Sequence, residues 1–172
     1  MLFESARLVC RRIGPDDLDA MAAVYGDADA MRWVDDGRPL DRGGCARWID
    51  VTLANYAKRG YGMSALVERG SDEIIGFMGL VHPDGQTTPE IKYALKRAYW
   101  GSGYATEAVR AMLDYGAQRF GMRHVIATVA PANIASQRVL AKAGMAEVER
   151  CANDDGSTTC VFEWRVPAEA GA

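Results

Sequence analysis

Apolar residues recur along this chain with two different periods, and the changes of period mark out its elements. Residues 7–13 (RLVCRRI) alternate charge with Leu8 and Cys10, the signature of a half-buried strand. Gly14, Pro15, Asp16 and Asp17 break that pattern, and Leu18, Met21, Ala22 and Tyr25 then fall at i, i+3, i+4 and i+7, predicting a helix with acids at its favourable N-terminal end. A short helical turn is expected over 27–33, and a loop over 35–39. Cys45, Trp48, Ile49, Thr52, Leu53, Tyr56 and Ala57 make a second stripe, which Lys58, Arg59 and Gly60 close as a helix C-terminus should. Residues 61–68 and 74–81 read as a hairpin around the Gly-bearing loop 69–73, and 90–95 as a further strand. Ala105, Ala108, Val109, Met112, Leu113, Gly116 and Phe120 keep the helical period through 102–120. A strand over 124–129, a helix over 134–143 and strands over 145–151 and 158–166 complete the chain. Antiparallel hairpins mixed with two β-α-β passages predict an α/β (α+β) layered fold of about seven strands.

Composition narrows the class without changing that picture. At 172 residues, 49% apolar and 25% charged, the chain is of a size and make-up for one globular domain, which excludes disorder and collagen-like repeats. The core is expected over 7–166, with a flexible tail at 167–172. Twenty Lys and Arg against 23 Asp and Glu leave a net charge of -3, which argues against direct nucleic-acid binding. No run is long and apolar enough to span a membrane, and the first twelve residues lack a secretory h-region, so a cytoplasmic protein without a membrane partner is expected. Cys10, Cys45, Cys151 and Cys160 are scattered, with no C-x-x-C pair and only His82 and His124 to assist. No metal site and no structural disulfide is expected; each cysteine reads as a small hydrophobe.

The segment from Leu95 to Glu107 carries the chemistry. A strand end runs through Gly101 and Gly103 into a helix, and glycines at a helix N-terminus bring free backbone N–H groups close to phosphate oxygens. A dinucleotide fingerprint would require Gly or Ala where Thr106 stands, and the G-x-x-x-x-G-K-[ST] pattern of a P-loop is absent.

EIKYALKRAYWGSGYATEAV at 90–109, together with PANIASQRVLAKAGM at 131–145, resembles the GNAT superfamily of N-acetyltransferases, in particular the RimJ/RimL type that acetylates ribosomal-protein N-termini. RLVCRRIGPDDLDAM and IIGFMGL extend the resemblance over roughly 7–166. It implies a mixed, mostly antiparallel sheet with helices on both faces, splayed between its fourth and fifth strands, and acetyl-CoA as cosubstrate with no metal. Gly101, Ser102, Gly103, Tyr104, Ala105 and Thr106 would then face the diphosphate, backbone groups near Ala94 and Leu95 the pantetheine, and Asn133 the pantetheine end. The family's Gln or Arg three residues before the first glycine falls on Ala98, with Arg97 one position early. The tyrosine that many members use as general acid falls on Leu140, so Ser136 is the polar alternative.

Acetyl transfer needs a neutral amine, and at pH 7 roughly 10 to 15% of an α-amine is neutral against roughly 0.04% of a lysine. Glu90 is the candidate base, with an exposed strand-edge carboxylate as the alternative. Ser136 is the candidate acid, with a serine bonding to first-turn backbone as the alternative. An oxyanion donor is expected among backbone N–H groups near Tyr93 to Leu95. Asn133 also suits an N-cap, and Glu107 suits a structural bond to nearby backbone. Trp33 and Asp35 are candidates for the amine pocket, with interhelix core and a solvated turn acid as alternatives; Asp36, Asp154 and Asp155 could attract a cation there. His82 reads as loop surface and His124 as strand edge. The expected activity is direct acetylation of a primary amine, either a protein N-terminal α-amine or a small-molecule amine, by a monomer or homodimer. The alternative is a silent CoA-binding or sensory module, to which Leu140 lends support.

Overall fold

A computed structural model describes residues 1–166; the tail expected at 167–172 lies outside the described residues. Its centre is one sheet of eight strands: β1 (Phe3–Glu4), β2 (Leu8–Arg12), β3 (Met63–Glu68), β4 (Ile74–Val81), β5 (Glu90–Leu95), β6 (His124–Val129), β7 (Ala146–Ala152) and β8 (Thr158–Arg165). They lie in the order β1-β2-β3-β4-β5-β6-β8-β7, antiparallel throughout except for the β5–β6 pair. The sequence pattern leads to about seven strands; the additional one is β1, which folds back on β2 with Phe3 opposite Cys10. Two residues are too few to show an alternation.

Period-2 patterning sorts neighbouring side chains to opposite faces. Ala65, Phe77 and Ala94 sit opposite one another on β3, β4 and β5, and small residues on either side of Phe77 leave room for Tyr25 and Trp48. That face is covered by α1 (Leu18–Tyr25), α2 (Ala28–Met31) and α3 (Arg42–Arg59), through Met21, Val24, Tyr25, Met31, Cys45 and Ile49. Leu66, Met78 and Leu95 take the other face under α4 (Tyr104–Phe120) and α5 (Ile134–Lys142), meeting Ala108, Val109, Met112, Leu113 and Leu140. Fully burying each such large apolar side chain contributes about 1.5–3 kcal/mol. Cys10, Cys45 and Cys160 are buried free thiols, Cys10 and Cys160 under α4 and α5 and Cys45 on the opposite face, and Cys151 is half-buried. No helix among the described residues is long and apolar enough to cross a membrane.

Two irregularities shape the sheet where it matters. In β4 Ile75 is an extra residue, since Ile74 pairs with Val67 and Gly76 with Leu66, and its carbonyl accepts the Lys96 N–H at 2.8 Å just beyond β5. β5 and β6 pair only at Glu90 and Ile126, with the Ile126 N–H reaching the Pro89 carbonyl at 3.0 Å. β6 turns instead to β8, which it follows for its whole length. The sheet is therefore open between β5 and β6 beyond Glu90.

Gly76 holds β5 in place by letting it come close. A Cβ there would collide with the Ala94 carbonyl and lie 2.9 Å from the Leu95 Cα, backbone that cannot yield cheaply. Gly76→Ala should cost about 1–3 kcal/mol of stability, read as a lower urea midpoint at unchanged slope; an unchanged midpoint would show that the two strands have slack.

Candidate active site

β5 ends at Leu95, and the chain passes through a single helical turn (Arg97–Tyr99) to Gly101 and Gly103, both at left-handed φ of 71° and 83°. Only glycine takes that conformation freely. Gly103 is the N-cap of α4, and no side chain caps this helix, whereas Asp27, Asp41 and Asn133 cap α2, α3 and α5. The first-turn amides of Tyr104, Ala105 and Thr106 have no carbonyl one turn back to bond. They point, with the positive end of a 17-residue helix, into the space beside the glycine loop. The Trp100 indole N–H donates to the Leu95 carbonyl at 2.9 Å, which folds the loop back over the strand end.

Arg7 supplies the cation at this loop. Its guanidinium donates to the Ser102 carbonyl at 2.8 Å and to the Glu107 carboxylate at 2.7 Å, and lies 4.0 Å over the Tyr104 ring. Glu107 also accepts from the Arg7 N–H and the Ser5 hydroxyl, each at 2.7 Å. Burial opposes its ionisation, but the Ser5 and Arg7 bonds outweigh that and hold its carboxyl below the usual range. Glu107 thus fastens the bend between β1 and β2 next to the loop. Arg97 turns away, its guanidinium bonded to Asp27 and Asp29 beside α2 at 2.9 Å each.

The open edge of β5 follows from its register with β4. Because Lys96 N–H bonds to Ile75, alternation commits the backbone of Ala94 to Phe77 on β4 and turns the N–H and C=O groups of Ile91, Tyr93 and Leu95 outward. Glu90 stands where the opening begins, on the face away from α4. It is 4% exposed, so the strand-edge alternative does not hold. One carboxylate oxygen accepts the Thr128 hydroxyl at 2.5 Å, with the Lys92 ammonium 3.8 Å away; the other accepts the Gln86 amide at 3.3 Å. Gln86 is itself anchored, since its backbone carbonyl accepts His82 Nδ1–H at 2.8 Å. That leaves His82 Nε2 to accept the Tyr61 hydroxyl at 2.8 Å, making His82 a link in this chain rather than loop surface.

Across the opening, Ser136 stands in the first turn of α5. Its N–H donates to the Asn133 side chain at 3.2 Å, and its hydroxyl meets the Tyr93 hydroxyl at 2.6 Å. Burial pushes the Tyr93 phenol up to about 12, the Ser136 bond only partly countering it. Leu140, one turn further on, is buried in the core.

Residues 7–146 match the acetyltransferase (GNAT) domain family. The chain belongs to the GNAT acetyltransferases. YkkB of Bacillus subtilis is 33% identical over 134 residues, 76% of each chain, and the N-acetyltransferase YnaD of the same organism is 28% identical over 145 residues, 84% of this chain and 82% of its own. A solved structure of RimL, a ribosomal L7/L12 alpha-N-protein acetyltransferase in complex with coenzyme A, superposes with a TM-score of 0.83 at 16% identity, covering 98% of this chain and 99% of its own. This GNAT acetyltransferase is an acetyl-CoA-dependent acyltransferase, and its fold is one that binds CoA. The residues present suit such a ligand, with uncapped amides for a diphosphate and an unpaired strand edge for an amide-bearing arm.

The remaining candidates of the GNAT chain make no hydrogen bond to these groups among the described residues. Trp33 is 44% exposed beneath the Arg32 guanidinium, which excludes the reading as interhelix core. Asp35 is exposed at a φ of 50°, and neither residue hydrogen-bonds to the groups above among the described residues. Asp36 and Asp155 complete their own turns, accepting from the Arg38 and Ser157 N–H groups. His124 pairs with Glu163 at 2.9 Å. Sequence reasoning missed Arg7, Thr128 and the Tyr93 hydroxyl, whose partners are distant in the chain, and Gln86, whose bond to nearby Glu90 depends on how the loop before β5 folds.

The Glu107 strap has a pH signature. Its carboxyl is held below the unfolded value of about 4.3, so its contribution is complete above that pH and fades as pH falls through the lower folded value. Glu107→Gln should therefore be less stable than the parent at pH 6, with the gap narrowing towards pH 3 in urea titrations. A gap that does not depend on pH would contradict the assignment.

Proposed function

We propose that this protein acetylates a primary amine directly from acetyl-CoA, with Glu90 as base and Ser136 as hydrogen-bond donor to the departing sulfur. The observation that carries the reading is the placing of Glu90: a buried carboxylate, held by Thr128 and Gln86, at the point where β5 and β6 part. The amides of Tyr104, Ala105 and Thr106, with Gly101, Ser102 and Gly103 beside them, would hold the diphosphate. Leu95 and its outward neighbours would pair with the pantetheine arm, and Asn133 would border its end. Acetyl-CoA supplies an acetyl thioester.

Glu90 takes a proton from the attacking amine, directly or through one water, as the nitrogen–carbon bond forms. An outward N–H on β5 stabilises the carbonyl oxygen as charge develops on it. Ser136 bonds the thiolate as the carbon–sulfur bond breaks; a thiol near pKa 8.5 needs only modest help. The acceptor is the α-amine of a protein N-terminus or a small amine. The RimL likeness supports the former and a RimJ/RimL-type assignment, and an α-amine, far more often neutral at pH 7 than a lysine, suits a site with one carboxylate.

CoA thiol release with a panel of amines, peptides with free N-termini included, tests the reading. Turnover should appear with at least one, and Glu90→Gln should lower it about 100-fold at pH 7 and much less at pH 9, where more amine is already neutral. Parental rates at pH 7 would remove Glu90 as the base, and acetyl-CoA binding without turnover on any amine would favour the silent module.

A further inference from the structure

We propose that Tyr93 is a positioning residue for the leaving sulfur: its hydroxyl donates to Ser136 Oγ and so leaves the serine hydrogen free to point at the CoA thiolate. The inference rests on the reading above for the place of the sulfur and adds a residue and a direction of hydrogen bonding to it. Tyr93 and Ser136 have one hydroxyl hydrogen each, and one of the two is used in the 2.6 Å bond between them. Were Ser136 the donor, its hydrogen would be spent on the phenol and the one left over would sit on the buried Tyr93 oxygen instead of on the serine. With Tyr93 as donor, both hydrogens are used and the second is aimed outward.

Three features favour that direction. First, burial keeps the phenol protonated across the working range of an enzyme, so its hydrogen is always present. Second, Ser136 is free to serve. A first-turn serine commonly spends its hydroxyl on nearby backbone, yet the Tyr93 contact is its one side-chain hydrogen bond among the described residues, while Asn133 fixes its backbone N–H. Third, the two residues bracket the opening. Tyr93 reaches from β5, where its own N–H and C=O face the unpaired edge, to the first turn of α5 on the far side. Leu140 can donate nothing, so the aromatic hydroxyl that serves this side of the cleft comes from the strand instead of from the helix.

No proton need leave Tyr93. The amine's proton goes to Glu90, the new carbon–nitrogen bond replaces the carbon–sulfur bond, and sulfur departs with the electron pair as a thiolate. It is held by the Ser136 hydrogen until solvent protonates it.

The test uses CoA itself as probe, so it does not depend on the acceptor. The ultraviolet absorbance of the thiolate gives the pKa of the bound CoA thiol. It should lie about one unit below that of free CoA, the size expected of one charge-assisted hydrogen bond. Tyr93→Phe, which keeps the ring, should abolish most of that shift, Ser136→Ala should abolish it, and the double variant should go no further, as for residues acting as a unit. Ser136→Thr, which keeps the hydroxyl, should restore it. Acetyl-CoA, which has no thiolate, should bind Tyr93→Phe within about twofold of the parent, showing that the site is intact. If Ser136→Ala removes the shift and Tyr93→Phe does not, Tyr93 has no positioning role. If CoA binds the parent with its thiol pKa unmoved, the sulfur is not beside the pair and the inference fails while the acetyltransferase reading stands. Failure of the parent to bind CoA at all would take down both.

Discussion

Every backbone N–H and C=O in a sheet must find a partner, and here the middle of the sheet withholds one. β5 bonds fully to β4 on one side, but on the other meets β6 only at Glu90. An unpaired buried backbone group costs about 1–3 kcal/mol, so an open edge among central strands survives only where water or a ligand reaches it. The cleft, the placing of Glu90 at its apex and the facing of Tyr93 and Ser136 across it all follow from that one parting of strands. α4 poses the same question at its N-terminus, with first-turn amides that no side chain caps. Two sets of unspent donors thus lie at the two ends of one loop, which is what an extended ligand with a diphosphate at one end and amides along its arm would use.

The surrounding structure fixes these openings instead of filling them. Arg7 and Glu107 tie the glycine loop to β2 and to the first turn of α4, on the flank where the Ser102 carbonyl would otherwise be free. Arg97 binds the single turn after β5 to Asp27 and Asp29 of the α2 segment, which takes its guanidinium away from the glycine loop and leaves the first-turn amides of α4 as donors there. Near Glu90, the Tyr61–His82–Gln86 chain carries order from the segment just before β3 to the Glu90 carboxylate. Pre-organisation of this kind reduces what binding must spend on ordering side chains.

Much of this was legible in the sequence, for reasons that can be named. The 3.6 period of α4 and the glycine spacing before it are local, so both the helix and its anion-facing end could be read directly. Alternation marked β2 and β5, whereas β3 and β4, covered by helices on both sides, read only as apolar runs whose faces the fold assigns. β1 escaped because two residues carry no period. Arg7 escaped because its partner Glu107 is 100 positions away, and an arginine at the bend before β2 has no local mark of what it reaches. Glu90 was visible as a candidate only through resemblance, and its burial only through the fold, since Thr128 comes from β6 and the loop carrying Gln86 has no period that places its amide. Trp33 shows the converse: an aromatic between helices suggested core, but the short α2 ends before it and leaves it at the surface.

The most direct measurement of the central claim is amide hydrogen exchange, residue by residue, with and without acetyl-CoA. The account predicts slowed exchange at Tyr104, Ala105 and Thr106 and at the outward amides of Tyr93 and Leu95, with Ala94, already bonded to β4, little changed. Protection by acetyl-CoA confined to other parts of the molecule, with these amides unaltered, would contradict it.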